Sequence, residues 1–226
     1  MSRSNTYHIT CPSCGAQKTV ELYESINAAD DPQLKDALMK NTLNRVACAD
    51  CKTSFRVDMP LLYSDPTHHI LIHWMPETEA MPRKKILEDF DQTLDQINEI
   101  VPDDVSIPQV RLVLSRVELL ELLFMIEAGF NPRVVEYVKY SIYSRNLEKV
   151  DPKEFRLLLN VENSNAEELC FVLQNTQTQE LSSTLSYGRP AYDSMCELYA
   201  ENPDEFIDMF PGPCISARNL LLDEME

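Results

Sequence analysis

The sequence predicts an α+β protein in three parts. These are a β-ribbon domain with a helical insertion over residues 1–75, a linker over 76–82, and an acidic α+β domain with a helical hairpin over 83–226. Three observations carry this reading. Alternating or continuous apolar runs flank two Cys-x-x-Cys pairs near the N-terminus, as strands flank a tight turn. Pro76-Glu-Thr-Glu-Ala-Met-Pro82 concentrates helix and strand breakers. Beyond it, apolar residues recur at helical spacing and then give way to β-rich runs.

Taken in order, residues 6–10 and 16–23 read as one hairpin, and 44–48 with 53–59 repeat the pattern. Between them Asp31-Pro32 opens a short helix, Asp31 as N-cap and Pro32 at the first helical position, with Leu34, Ala37 and Leu38 on one face. Residues 68–75 add a strand. From Arg83 to Val101, Leu87, Phe90, Leu94, Ile97 and Val101 form a seam that Asp89, Asp91, Asp95 and Glu99 leave clear. Val105 to Leu114 reads as a strand. Ser115 and Glu118 form a capping box for a helix to Ala128, Gly129 ends it, and Asn131-Pro132 starts the next, to about Asn146. Glu121 has apolar neighbours on both sides, so the first of these helices is expected to be mostly buried. Phe155–Val161 and Leu169–Gln174 read as two strands joined through 162–166. Pro190 and Asn202-Pro203 open two last helices, and Pro211-Gly212-Pro213 breaks the chain before a short tail.

Composition narrows the function classes. At 226 residues the chain buries roughly 70% of its unfolded surface and needs no disulfide scaffold. Only 4 glycines stand against 14 prolines, and no GxGxxG or GxxxxGK[ST] string exists, which excludes the common phosphate loops. GxSxG, HExxH and HxE…PCxxC are also absent. The net charge of −17 disfavours sequence-independent nucleic-acid binding, which depends on Lys and Arg. That charge is uneven: residues 1–82 hold 7 basic and 10 acidic side chains, residues 83–226 hold 13 and 27. No apolar run is long enough to span a membrane. No signal-peptide layout opens the chain and the cysteine count of 7 is odd, so a reducing cytoplasm is the expected compartment.

Four of those cysteines carry the chemistry. Cys11-Pro12-Ser13-Cys14 and Cys48-Ala49-Asp50-Cys51 are separated by 33 residues. Each pair makes a turn that sets two sulfurs one tetrahedral edge apart, as a structural zinc ion with Zn–S bonds of about 2.3 Å requires. Pro12 stiffens the first turn, and Gly15 permits a positive φ just after it. Four thiolates fill the coordination sphere, so a closed Zn²⁺ site with ligands Cys11, Cys14, Cys48 and Cys51 is expected to fold the chain rather than catalyse. Two redox dithiols or an iron–sulfur cluster are the alternatives. Cys170, Cys196 and Cys214 are isolated and read as small buried apolar residues.

At these residues the chain resembles the CpXC family, small prokaryotic proteins named for two Cys-Pro-x-Cys motifs. Cys11-Pro12-Ser13-Cys14-Gly15 matches outright, whereas Ala49 stands where the second motif has proline. Arg111–Glu121 and Glu127–Glu136 resemble the helical hairpin that follows the cysteine domain in such proteins. The resemblance covers about residues 1–150 and makes residues 1–75 a zinc-ribbon-like CpXC domain. It implies metal binding and no known reaction.

Other candidates read more plainly. His69 and His73 are expected on one face of the 68–75 strand and His68 on the other, and no ligand set completes them except through Asp65. An open zinc site with His8 in place of one cysteine is the catalytic alternative. Tyr137, Tyr140 and Tyr143 form a half-buried flank or a binding stripe. The pairs Asp103-Asp104, Glu167-Glu168 and Asp204-Glu205 read as caps and dipole partners before catalysts. The leading expectation is thus a zinc-stabilised, non-enzymatic module whose partner is another protein. One alternative is an enzyme with a pocket between the two halves. The other is a nucleic-acid-related role, either ribbon contact through Lys18, Lys52 and Arg56 or an acidic mimic. The sequence leaves the oligomeric state open.

Overall fold

A computed structural model describes residues 1–100 and 106–225, the side chains of 97–99 excepted. The expected ends of the Leu87 seam at Ile97 and Val101, the start of the 105–114 strand and the Asp103-Asp104 pair lie outside the described residues. Among the described residues are 7 helices and 10 strands in mixed and antiparallel sheets, an α+β fold. The chain forms two compact units, Met1–Leu120 and Glu121–Glu226.

In the first unit, β1 (Arg3–Thr10) and β2 (Gln17–Asn27) pair antiparallel, with Thr10 opposite Gln17 closing on the first Cys-x-x-Cys turn. α1 (Pro32–Met39) starts where Asp31-Pro32 indicates and buries Leu38. Asp31, however, makes no side-chain cap. Its carboxylate accepts the Ser2 N–H at 3.2 Å and ties down the N-terminus instead. β3 (Arg45–Ala47) and β4 (Ser54–Arg56) then form a two-stranded ribbon around the second turn. β5 (Leu61–Asp65) and β6 (Ile70–Trp74) follow as an antiparallel pair.

The breaker-rich 76–82 segment connects β6 to α2 (Arg83–Ile100) inside this unit, and β7 (Gln109–Val113) returns parallel to β6. The sheet order is β1-β2-β5-β6-β7, with β2 and β5 also parallel. Its core is made by strand positions of one parity: Tyr63, Ile72 and Trp74 are at most 1% exposed. Each such side chain contributes roughly 1.5–3 kcal/mol of burial free energy. On α2, Leu87, Phe90 and Leu94 are half-buried and Ile86 is buried, while the Phe90 ring lies 5.7 Å from His73.

α3 (Arg116–Glu127) runs across the division between the units. Its capping box is reciprocal: the Glu118 N–H donates to Ser115 Oγ at 3.4 Å and the Ser115 N–H to Glu118 Oε2 at 3.1 Å. Gly129 ends the helix at φ +73°, and Asn131 caps α4 (Pro132–Arg145) by accepting the N–H groups of Arg133 and Val134. Loop 146–154 leads to β8 (Phe155–Asn160), β9 (Glu168–Asn175) and β10 (Leu181–Gly188), an antiparallel sheet in the order β10-β9-β8. α5 (Arg189–Glu201), α6 (Pro203–Met209) and α7 (Ala217–Glu224) complete the unit. The tail after Pro213 is therefore helical, capped by Ser216 on the Asn219 N–H. Tyr143 is buried, accepting the Leu157 N–H at 2.8 Å and donating to Phe155 O at 3.1 Å, so the tyrosine flank fastens α4 to β8.

A buried ionic triad joins four elements of the second unit. Lys139 Nζ lies 2.8 Å from the Glu121 carboxylate and 2.6 Å from Glu136. Glu121 also accepts the Leu159 N–H at 2.5 Å, and Glu136 accepts the Ala217 N–H at 2.8 Å. Burial raises the Glu121 carboxyl above its usual range against the pull of Lys139, while both carboxylates raise Lys139. A folded state that holds this proton more tightly than the unfolded chain gains most below the ordinary carboxylate range. It loses that gain as pH rises through the raised value. We expect Lys139→Met, which strands two buried carboxylates, to destabilise the protein by about 3–5 kcal/mol at pH 7. Chemical denaturation should show the loss shrinking at pH 5, where the raised Glu121 carboxyl takes up a proton.

Candidate metal centre

The two Cys-x-x-Cys turns are the same local structure built twice. In the first, the Cys11 N–H donates to Ala16 O and the Gly15 N–H to Cys11 O, both at 2.9 Å. In the second, the Cys48 N–H donates to Thr53 O and the Lys52 N–H to Cys48 O, again at 2.9 Å. Gly15 (φ +73°) and Lys52 (φ +63°) occupy equivalent left-handed positions. Each turn ends a two-stranded ribbon, β1–β2 or β3–β4, so the strands aim both turns at one point.

There the four sulfurs meet, all within 4.8 Å of one another. The edges Cys11–Cys51 and Cys14–Cys48 are both 3.7 Å, and all four cysteines are free thiols. A tetrahedral ion with bonds of about 2.3 Å spans an edge of about 3.8 Å, so the donor set fits such an ion. Cys11 and Cys48 are each 1% exposed, whereas Cys14 is on the surface.

Backbone donors prepare these sulfurs for negative charge. The Thr53 hydroxyl and N–H lower Cys51 to about 6, and the N–H groups of Cys51 and Asp50 lower Cys48. The Ala16 N–H pulls Cys14 down in the matching way, but the crowd of Cys11, Cys51 and Cys48 outweighs it and holds that thiol up at about 12. Four sulfurs this close do not all ionise by themselves; a cation between them removes the conflict. Lys18 on β2 reaches Asp50 of the other turn at 2.7 Å, and Asp50 and then Cys48 and Cys14 raise its ammonium.

A family model described as CpXC protein matches residues 9–139. The chain belongs to the CpXC family. No curated protein and no solved structure gives a significant match. The matched region starts at Ile9, at the mouth of the first turn, and ends at Lys139 within α4, so it contains all four cysteines. The second turn differs from the first at Ala49, the place equivalent to Pro12, and at Lys52, the place equivalent to Gly15. The second turn nevertheless keeps the hydrogen bonds of the first.

The remaining candidates are placed as follows. β6 begins at Ile70, so His68 and His69 sit in the preceding turn, His69 at φ +50°, and the expected shared strand face with His73 does not form. His68 Nδ1 bonds Asp65 Oδ2 at 2.9 Å, His69 Nε2 meets Ser106 Oγ at 3.1 Å, and His8 Nδ1 meets Thr19 Oγ1 at 3.0 Å. Of the cations suggested for nucleic acid, Lys18 is paired with Asp50 and Arg56 with Asp58. Asp204 and Glu205 fall in the first turn of α6, where they offset the helix dipole. Glu167 and Glu168 are exposed beside the turn capped by Asn165. Sequence reasoning missed Thr53 and the Lys18–Asp50 pair. Thr53 had a signal, its place two residues after Cys51, equivalent to Ala16. Separately, the second unit carries an apolar cavity of about 310 Å³ lined by Phe124, Leu158, Val161, Val172 and Leu181.

The left-handed backbone makes the two turns respond in opposite directions. An L-residue there costs about 1–2 kcal/mol, of which glycine's greater chain entropy offsets roughly 0.5–1 kcal/mol. Nothing lies within 4 Å of a Cβ added at Gly15, so only the φ angle penalises a side chain. Lys52→Gly should therefore raise the stability of the metal-loaded protein by up to about 1 kcal/mol, and Gly15→Ala should lower it by about as much. Paired denaturation curves read both.

Proposed function

We propose that Cys11, Cys14, Cys48 and Cys51 hold one Zn²⁺ in a closed structural site, and that the protein is a zinc-stabilised, non-enzymatic protein-binding module. The observation that carries this is the cluster of four free thiols within 4.8 Å of one another, two of its edges 3.7 Å. Four sulfur donors at that spacing suit zinc and leave no position for a reacting water. The spacing is too tight to enclose a multi-iron cluster with bridging sulfides. Both turns sit between strands rather than at a helix N-terminus, the place where redox Cys-x-x-Cys pairs are activated, which supports a metal site over two redox dithiols. The apolar cavity beside Phe124 and Leu181, which are 37% and 64% exposed, supports a protein partner over a charged polymer.

In this role the ion ties the two-stranded β3–β4 ribbon to the β1–β2 edge of the five-stranded sheet, and metal removal acts on structure and on binding together. We expect one zinc per chain by elemental analysis, with Cys51→Ser losing the metal and unfolding the ribbons. His68, His69 and His73 replaced together should leave zinc content unchanged. Because each bound sulfur must stay deprotonated, acidification should release the ion as protons displace it. Iron, no metal in a folded protein, or zinc loss in the triple histidine variant would each overturn the assignment. Turnover of a substrate by the zinc-loaded protein would replace the binding module with an enzyme.

A further inference from the structure

Beside the second turn, two arginines converge with less negative charge than they need. Arg116, the first residue of α3, has a side chain only 6% exposed. It donates from Nε to Asn41 Oδ1 at 2.6 Å and from Nη2 to Leu43 O at 3.4 Å, and its guanidinium lies 5.3 Å over the Trp74 ring. Its Nη1 is buried and makes no hydrogen bond; Asp58 Oδ1 stands 3.6 Å away, an ion pair too long to satisfy the N–H groups. Arg56, on β4, donates to the same two oxygens, from Nη1 to Asn41 Oδ1 and from Nε to Asp58 Oδ1, both at 2.9 Å. Two guanidinium groups thus share one amide oxygen and one carboxylate. Burial first, and then the like charge of Arg56, push Arg116 down to about 10. The mouth is open, since Asn41 and Arg56 are exposed and the Asp58 side chain is 43% exposed.

The geometry points to a binding site for a phosphate-class oxyanion between Arg56 and Arg116, with Asp58 holding its place when the anion is away. A buried donor without an acceptor costs about 1–3 kcal/mol, and Asp58 does not relieve it. A tetrahedral dianion does what Asp58 cannot. Its several oxygens supply an acceptor to Arg116 Nη1 while keeping the bond to Arg56 Nε, and its two charges match the two cations where Asp58 matches one. Guanidinium forks select such oxyanions over a spherical anion because paired N–H donors align with paired oxygens. Asp58 is exposed and leaves by a side-chain rotation into water. The site stands apart from the zinc reading and does not depend on what the thiols bind.

The test uses the full-length, metal-loaded protein and titrates inorganic phosphate by calorimetry, with ionic strength held constant by chloride so that screening does not change. Saturable binding is expected. Asp58→Asn, which removes the competing charge, should bind about tenfold more tightly, and Arg56→Gln about tenfold more weakly, as the charge-assisted bonds involved imply. Both positions are exposed, and melting curves confirm that the variants fold. A parallel titration with adenosine 5′-monophosphate separates the sources: equal affinity means that the site takes a terminal phosphate ester, and binding of inorganic phosphate alone means the free ion. Chloride as effective as phosphate, no saturation, or an Asp58→Asn variant that binds no better than the parent would overturn the proposal.

Discussion

Everything in the first unit depends on bringing four sulfurs within 4.8 Å of one another, an arrangement that charge alone resists. Thiolates at this spacing repel, and the thiols are unequal, Cys51 lowered to about 6 by the Thr53 hydroxyl and N–H while its neighbours hold Cys14 up at about 12. N–H groups of Ala16, Asp50, Cys51 and Thr53 each offset part of a sulfur's charge, but partial charges at hydrogen-bond distance do not neutralise four thiolates. A divalent ion at the centre does so in one step. Bound as proposed, it would also close a loop of 33 residues between Cys14 and Cys48, and a cross-link over such a loop removes about 4 kcal/mol of unfolded-chain entropy. Inside that loop lie all of β2, α1 and β3.

The second unit solves a related electrostatic problem without an outside ion. Its two buried carboxylates, Glu121 and Glu136, share one ammonium, and each spends a further oxygen on a backbone N–H. Such a triad adds little net stability compared with an apolar replacement of the same shape, because desolvation cancels most of the attraction. What it adds is register. The Leu159 N–H on β8 and the Ala217 N–H at the start of α7 have acceptors only if α3 and α4 stand at one particular rotation. An apolar contact tolerates a slide of an ångström; a hydrogen bond to a fixed carboxylate oxygen does not.

What the sequence makes legible follows the range of each interaction. The Ser115/Glu118 box and the Asn131-Pro132 cap act within three residues, and both form where the pattern places them. The four cysteines are legible because two short spacings meet a known coordination geometry. Asp31 has the right residue at the right place, yet its oxygen goes to Ser2, 29 residues away in the chain. β10 escapes because Leu181-Ser-Ser-Thr-Leu-Ser-Tyr-Gly is an edge strand with most of its residues in water, so no apolar alternation marks it. β5 is five residues between Pro60 and Pro66, too short to show a period. The histidines mislead because the turn before β6 runs two residues further than the apolar pattern suggests, to His69 in the left-handed region. Arg116 and Asn41 are 75 residues apart, and nothing local in either announces the other.

That last pair shows how the metal-bearing turn reaches into its surroundings. Arg56 follows Cys51 by five residues along β4, and Arg45, Val46 and Ala47 of β3 hold that strand by direct pairing. The orientation of Arg56 is therefore set by the same short ribbon that presents Cys48 and Cys51. Asn41 lies beyond the other end of β3, in the turn after α1, left-handed at φ +59°. Arg116, by contrast, is fixed by the capped start of α3 and by the face of Trp74 in the five-stranded sheet. The two guanidinium groups thus belong to separately anchored supports that meet only through Asn41 and Asp58.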